Sequence, residues 1–198
     1  ESWNGTSWSE VNDLNTARQR SAGAGINTAA LAIGGSTSDT SGSKVGVTES
    51  WNGTSWSEVN DLNTARQRSA GAGINTAALA IGGSTSDTSG SKVGVTESWN
   101  GTSWSEVNDL NTARYSLAAA GTQTAALVFG GSFPTTAATE SWNGTSWSEV
   151  NDLNTTRYFL AGAGTSTAAL AFGGYGPSTS NATEEWNVSG GTQTISAS

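Results

Sequence analysis

Residues 1–48, ESWNGTSWSEVNDLNTARQRSAGAGINTAALAIGGSTSDTSGSKVGVT, occur again without a single change as residues 49–96. Looser copies of the same unit follow at 97–139 and 140–183, and a partial copy occupies 184–198. The copies begin at intervals of 48, 48, 43 and 44 residues. A fixed interval of this size indicates a structural unit repeated along the chain, each copy burying its apolar face against its neighbours.

Each copy is predicted to form four short strands. In the second copy a strand at 49–51 precedes Asn52-Gly53, a pair that favours a two-residue hairpin turn because both residues tolerate positive φ. The next strand is predicted at 54–59, with side chains alternating between two faces. The runs 69–74 and 77–81 are short, apolar and bounded by turn residues, which is typical of strands buried on both faces. The first of these runs is rich in Ala and Gly, so we expect it innermost, where neighbouring sheets approach closely.

Four strands in every repeat predict an all-β chain that forms one β-propeller domain over 1–198, with four four-stranded blades. The blades are expected at about 19–62, 67–110, 115–153 and 158–186. The last blade lacks a copy of the outermost strand, and residues 6–11 are a spare copy, so we expect the N-terminal strand to close the ring. Two alternatives remain: residues 192–196 supply that strand, or the chain is part of a ring of five to seven blades. Because the chain begins at Glu1, the first residue of a repeat, rather than with Met, we expect it to be a processed or partial piece of a longer protein.

One repeat motif resembles a known family. Gly82-Gly83 is followed by a variable loop, Trp99, Trp104 and Arg114, and then by small residues up to Gly130-Gly131. This order resembles the kelch repeat of β-propellers, although the turn between the two aromatic positions is tighter here than in that family. The segments ESWNGTSW, NDLNTAR and TAALVFGG are also similar to tandem repeats in structural proteins of marine bacteriophages, including tail-fibre-like chains. These resemblances imply a propeller on a virion or extracellular appendage, with a role in host-surface recognition.

Composition excludes most catalytic chemistry, because the chain contains no His, Cys or Met. Thiol nucleophiles, Ser-His-Asp triads and Cys/His zinc sites are therefore absent, and we expect no cofactor, no metal and no enzymatic activity. Carboxylates such as Glu184-Glu185 could suggest a glycosidase. That reaction needs two carboxylates in unlike environments, whereas a carboxylate repeated in every blade has like environments.

The charge and hydropathy of the chain argue against two classes of partner, nucleic acids and membranes. The net charge is −8, and the eight Lys and Arg residues never cluster, which disfavours nucleic acid as a partner. No apolar stretch approaches the roughly 20 residues that cross a bilayer, so membrane insertion is not expected.

Two sets of repeated residues have a structural and a binding interpretation. The nine tryptophans could stack on sugars, but they recur unchanged while the loops vary, so we interpret them as packing between blades. The repeated arginines, with Glu10, Asp13 and their copies, could read an anionic ligand, but we favour hydrogen bonds and ion pairs that tie one blade to the next. The two sets are Trp3, Trp8, Trp51, Trp56, Trp99, Trp104, Trp142, Trp147 and Trp186, and Arg18, Arg66, Arg114 and Arg157.

The loops that follow the Gly-Gly pairs differ between copies and are the predicted binding surface. Candidate ligand-binding residues there are Asp39, Lys44, Asp87, Lys92, Phe133 and Tyr175. Similar loops around one axis would let weak sites sum to useful avidity. The sequence thus favours a structural or binding module in a virion or outside the cell, with host cell-surface glycans or other virion proteins as partners. An intracellular protein-interaction propeller and a propeller-fold enzyme are the alternatives.

Overall fold

Strands and turns account for the regular structure of residues 1–40, 43–87 and 91–188, the part of the chain that the computed structural model describes. An N-terminal hairpin, β1 (Ser2–Trp3) and β2 (Trp8–Ser9), precedes the blades. The first blade contains β3 (Ala22–Ile26), β4 (Ala29–Ile33), β5 (Thr48–Trp51) and β6 (Trp56–Val59), and the second contains β7 (Ala70–Ile74), β8 (Ala77–Ile81), β9 (Thr96–Trp99) and β10 (Trp104–Val107). The third contains β11 (Ala118–Gly121), β12 (Ala126–Phe129), β13 (Thr139–Trp142) and β14 (Trp147–Val150), and the fourth contains β15 (Ala161–Gly164), β16 (Ala168–Phe172) and β17 (Thr183–Asn187).

Every blade is an antiparallel sheet whose strands are paired in chain order. The blades are arranged as a four-bladed β-propeller, which confirms the fold predicted from the repeats. Among the described residues there is no helix with the length and hydropathy needed to cross a membrane.

The Asn-Gly turn is longer than predicted. Trp51 pairs directly with Trp56, so residues 52–55 form a four-residue loop and the expected two-residue turn is wrong. Asn52 Oδ1 accepts hydrogen bonds of 2.9 Å from two backbone N–H groups of the loop, and Gly53 adopts a φ of +93°. The side-chain cap stabilises the longer loop and places the two indoles opposite each other, with ring centroids 5.4 Å apart.

The Ala/Gly-rich strands lie innermost, as predicted, with β3 against β7, β7 against β11 and β11 against β15. Together they surround a cavity of about 400 Å³ on the axis. The approach is closest at Gly71, where an added Cβ would lie 2.4 Å from the Gly23 carbonyl oxygen. Glycine at this position therefore lets β7 contact the backbone of β3.

We expect Gly71→Ala to lower the free energy of unfolding by about 1–3 kcal/mol, because the methyl group would overlap backbone that cannot easily move. Gly23→Ala is a matched control in an identical repeat, since a Cβ there meets only the Leu31 carbonyl oxygen at 3.8 Å. Urea denaturation of both variants measures the difference. Equal stability of the two variants would contradict the close approach of β7 to β3.

The N-terminal strand does not close the ring in the expected way. We expected residues 6–11 to pair with β17, but Trp8 pairs with Trp3 in the hairpin, and among the described strands β17 pairs only with β16. Residues 1–11 contain a complete hairpin with its own Asn-Gly turn, and local pairing closes a much shorter loop than pairing across the ring. Residues 192–196, the alternative source of the strand, lie outside the described part of the chain.

The interfaces between blades are built in the same way three times. Large aliphatic or aromatic side chains on the second strand of one blade pack against alanines and tryptophans of the next blade. Most of the tryptophans thus lie in the space between blades. The same positions of the fourth blade, Leu170 and Phe172, are 43% and 39% exposed, so this apolar face has no comparable cover among the described residues.

Candidate binding site at the loop end of the propeller

Four arginines with buried side chains form ion pairs with the glutamate that starts the following repeat. The pairs are Arg18–Glu49, Arg66–Glu97, Arg114–Glu140 and Arg157–Glu184. In the second pair, Arg66 also donates to the Ala80 carbonyl oxygen at 3.1 Å, and Glu97 accepts both the backbone N–H and the Nδ2–H of Asn63. Each pair clamps the segment that enters a blade onto that blade.

In these clamps the arginines are paired within the fold, but their partners are not the predicted Glu10, Asp13 and their copies. Glu58, the copy of Glu10, is exposed, and Asp61, the copy of Asp13, accepts a hydrogen bond from the Thr48 backbone N–H. The glutamate at the repeat start is the partner because it lies on a buried strand that the connection crosses. The arginines are thereby engaged within the fold and do not form a ring open to an anionic ligand.

The first clamp also lowers the pKa of its glutamate, Glu49. Burial raises the pKa of Glu49, but the hydrogen bond from Arg18 and the backbone N–H groups of Asn15 and Thr16 outweigh it, so the pKa lies below its ordinary value. A carboxyl with a lowered pKa stabilises the fold above its ordinary pKa, and that stabilisation is lost as the pH falls through the lowered value. The clamp is therefore intact at neutral pH.

The charged loop residues predicted as ligand contacts mainly join neighbouring loops. Lys44 of the first blade pairs with Asp87 of the second, and Lys92 Nζ donates to the Phe133 carbonyl oxygen at 2.6 Å. The hydrogen bond from Lys44, followed by that from Gln67, holds the pKa of Asp87 below its ordinary value. The loops of the first three blades are thus linked side by side at one end of the propeller.

Phe133 and Tyr175 are both exposed, at 45% and 42%, and belong to one series of ring contacts. Successive members are 4.9–5.9 Å apart, measured between ring centroids or from the Arg68 guanidinium carbon to a ring centroid. We call this series the aromatic belt; in order it consists of Phe133, Tyr115, Arg68, Phe159, Tyr158 and Tyr175. The belt joins the two loop aromatics predicted from the sequence across the second, third and fourth blades.

Four residues with positive φ encircle the axis where the belt passes. They are Arg20, Arg68, Ser116 and Phe159, one from each blade, with φ of 58°, 56°, 56° and 55°. Backbone hydrogen bonds join Arg68 N to Arg20 O, Ser116 N to Arg68 O and Phe159 N to Ser116 O at 2.8–3.0 Å. Within the described residues no equivalent bond joins Phe159 to Arg20, so the hydrogen bond that links the other neighbouring blades is absent between the fourth and the first.

A cavity of about 260 Å³ opens at this ring of residues. Besides the four residues with positive φ, it is lined by Ser69, Leu117 and Leu160. Sequence reasoning missed this cavity, because Arg68 and Ser69 stand in a repeat identical to that of Arg20 and Ser21. Only their position in the ring distinguishes them.

No protein-family model matches the chain, and no curated protein is significantly similar to it. The likeness to kelch repeats and to bacteriophage structural proteins is therefore untested beyond the propeller fold. Within the described residues no group of three or more Asp or Glu side chains is placed to hold a metal ion.

Proposed function

We propose that the chain is a non-enzymatic binding module of a viral or extracellular appendage, and that its loop end recognises glycans of a host cell surface. The aromatic belt is the observation that supports this proposal. Pyranose rings have apolar C–H faces and polar edges, and exposed aromatic rings beside polar groups suit both. The belt offers exposed Phe133, Phe159 and Tyr175 on a frame of packed blades, with Phe159 beside the Arg68 guanidinium.

The repeat architecture supports binding to an array of similar groups. A surface glycan presents the same sugar many times, and an appendage presents its binding modules close together. Sites that are weak singly then reach high avidity without new contacts.

A second role, contact with another protein of the same appendage, is favoured by a different observation. Leu170 and Phe172 expose an apolar face on the fourth blade, and its counterparts on the other blades are covered by a neighbouring sheet. Exposed apolar faces of this kind mark protein contacts. This role is compatible with glycan recognition because the face lies on the side of a blade and the belt lies at the loop end.

We expect Phe133→Ala and Tyr175→Ala each to weaken glycan binding by roughly tenfold or more, because exposed aromatic anchors dominate such contacts. A glycan array would identify the ligand, and titration of the purified chain would give the affinities. Ile74→Ala is a control, since Ile74 is 51% exposed but lies at the hairpin between β7 and β8, outside the belt. Failure of the wild-type chain to bind any host-surface polysaccharide would contradict the proposal.

A further inference from the structure

The 260 Å³ cavity at the four positive-φ residues is lined by a cation, Arg68, without a carboxylate partner and by two serines whose hydroxyl groups have no hydrogen-bond partner, all within the described part of the chain. We infer that it binds the carboxylate of an acidic sugar, with Arg68, Ser69 and Ser116 as the groups that hold the carboxylate. This inference rests on the proposed function, since it names the class of glycan that the loop end recognises.

The comparison of Arg68 with Arg20 identifies the cation. In the first copy Arg20 Nη2 lies 2.7 Å from Asp39 Oδ1 of its own repeat, and Arg20 Nη1 lies 3.7 Å from Asp87 Oδ1 of the next repeat. In the second copy the equivalent aspartate, Asp87, pairs with Lys44 of the preceding loop and accepts a hydrogen bond from Gln67. Among the described residues Arg68 therefore has no carboxylate partner, although its sequence surroundings are the same.

The neighbours of Arg68 hold its guanidinium in place without neutralising it. Its guanidinium carbon lies 5.3 Å from the centroid of the Tyr115 ring and 5.9 Å from that of Phe159. Contacts of this type orient a cation while leaving its N–H groups able to donate. A planar guanidinium binds a carboxylate through two parallel hydrogen bonds, which a lysine cannot reproduce.

Two serine hydroxyls complete the polar part of the cavity. Ser69 and Ser116 are only 9% and 6% exposed, and neither Oγ has a hydrogen-bond partner in the described part of the chain. The Nε–H of Arg68 is also without one there. Single unpaired nitrogens also occur in the four clamp arginines, whose other N–H groups are hydrogen-bonded, whereas the hydroxyls of Ser69 and Ser116 make no hydrogen bond among the described residues. Buried hydroxyls are rarely left unpaired, because an unmade hydrogen bond costs free energy, so these two groups beside Arg68 indicate a polar ligand.

The remaining lining explains why the carboxylate should belong to a sugar. Leu117, Leu160 and Phe159 line the same cavity with apolar surface, which matches the C–H face of a pyranose ring. One unpaired arginine balances one negative charge, as on a uronic or sialic acid. The positive-φ residues are fixed by their backbone hydrogen bonds, so the groups are held in position before the ligand arrives.

The probes are free glucuronic acid and sialic acid, titrated into the purified chain by calorimetry, with glucose and inorganic phosphate as comparison ligands. We expect the acids to bind and glucose and phosphate to bind at least about tenfold more weakly, since a hydrogen bond to a buried charge supplies this much. Acetate, titrated separately, measures the affinity that the carboxylate alone provides, and it should bind more weakly than either sugar acid. Glucose or phosphate binding as tightly as the acids would overturn the inference, as would acetate binding equally well.

Variants in the two identical repeats identify the groups that act. Arg68→Asn, which suits a positive φ, should weaken acid binding roughly tenfold or more, and Ser69→Ala roughly threefold to tenfold. The matched substitution Ser21→Ala should change it less than about threefold, because Ser21 is exposed and outside the cavity lining. Arg20→Asn should weaken it less than Arg68→Asn does, because Arg20 lines the cavity but is already paired with Asp39 and Asp87. Circular dichroism would show that all four variants fold, and Arg68→Lys should restore only part of the affinity. Equal losses at positions 20 and 68 would overturn the role of Arg68.

The glycan array tests the proposed function and the titration with free acids tests the cavity, so the two proposals can fail independently. If the array shows only neutral glycans and the free acids do not bind, the cavity inference is wrong and glycan recognition stands. If the array shows no glycan while glucuronic acid binds through Arg68, glycan recognition is wrong and the carboxylate site stands.

Discussion

Replacing Glu97 with alanine is expected to lower the free energy of unfolding by about 3–5 kcal/mol, because it leaves a buried guanidinium without its counter-charge. The side chains of Glu97 and Arg66 are both fully buried. Glu97 also accepts the backbone N–H of Asn63 at 2.7 Å and that of Thr64 at 3.2 Å, so the variant would leave these donors unpaired as well. Urea denaturation followed by circular dichroism measures the loss.

Two controls test whether burial of the clamp is responsible. Glu106 lies directly opposite Glu97 on the neighbouring strand but is exposed, so Glu106→Gln should stay within about 0.5 kcal/mol of the parent. Glu184→Ala removes the same partner from the fourth clamp, where the glutamate side chain is 11% exposed, and should cost less than Glu97→Ala. A loss at Glu106 as large as that at Glu97 would show that the clamp has no special role.

The repeats predicted the fold well because blade formation depends on patterns within one copy. Short apolar runs between turn residues predicted the strands, and the small residues around Gly71 predicted that this strand lies innermost in its blade. The closure of the ring was predicted wrongly because the first copy can satisfy two pairings with the same residues. Trp8 can face Trp3 within its own hairpin or a strand of the fourth blade, and the pattern alone does not rank these choices.

The partners of the repeated arginines show a second limit. Arg66 was correctly interpreted as structural, since an arginine kept in every copy of a chain with few cations indicates a fixed contact. Its partner Glu97 lies 31 residues further along the chain and reaches it only through the folding of the whole blade. The closer carboxylates, Glu58 and Asp61, were the obvious candidates in sequence but face elsewhere in the fold.

The candidate site was predictable in its loops and unpredictable at the axis. Phe133 and Tyr175 stood out because they are aromatic residues in loops made mostly of small and polar residues. Arg20 and Arg68 occupy identical sequences, and their difference arises from their neighbours in the ring. Lys44 and Arg20 from the first copy engage Asp87 of the second, which leaves Arg68 without a carboxylate partner among the described residues.

Replacing Trp99 with alanine is expected to cost about 3–5 kcal/mol, as large aromatic-to-alanine changes in a core do. The indole is 1% exposed and lies in the apolar cluster between the first and second blades, with its ring centroid 5.2 Å from that of Trp104. Its Nε1–H donates to the Asn75 carbonyl oxygen at 3.0 Å, so the variant loses a hydrogen bond as well as packing. Domains of this kind have about 5–15 kcal/mol of stability in total, so the loss would be a large part of it.

Trp3→Ala is the matched control, because Trp3 and Trp99 occupy the same position of the repeat and are followed by the same residues. Trp3 lies in the N-terminal hairpin and is 44% exposed, so its removal leaves no enclosed cavity and should cost less than about 1 kcal/mol. Denaturation monitored by circular dichroism compares the two without relying on tryptophan fluorescence. If both variants lost the same free energy of unfolding, the N-terminal hairpin would have to stabilise the fold as much as an interface between blades does. The finding that the hairpin is not paired with the fourth blade would then be wrong. If neither variant lost stability, packing of the tryptophans would not stabilise the interfaces between blades.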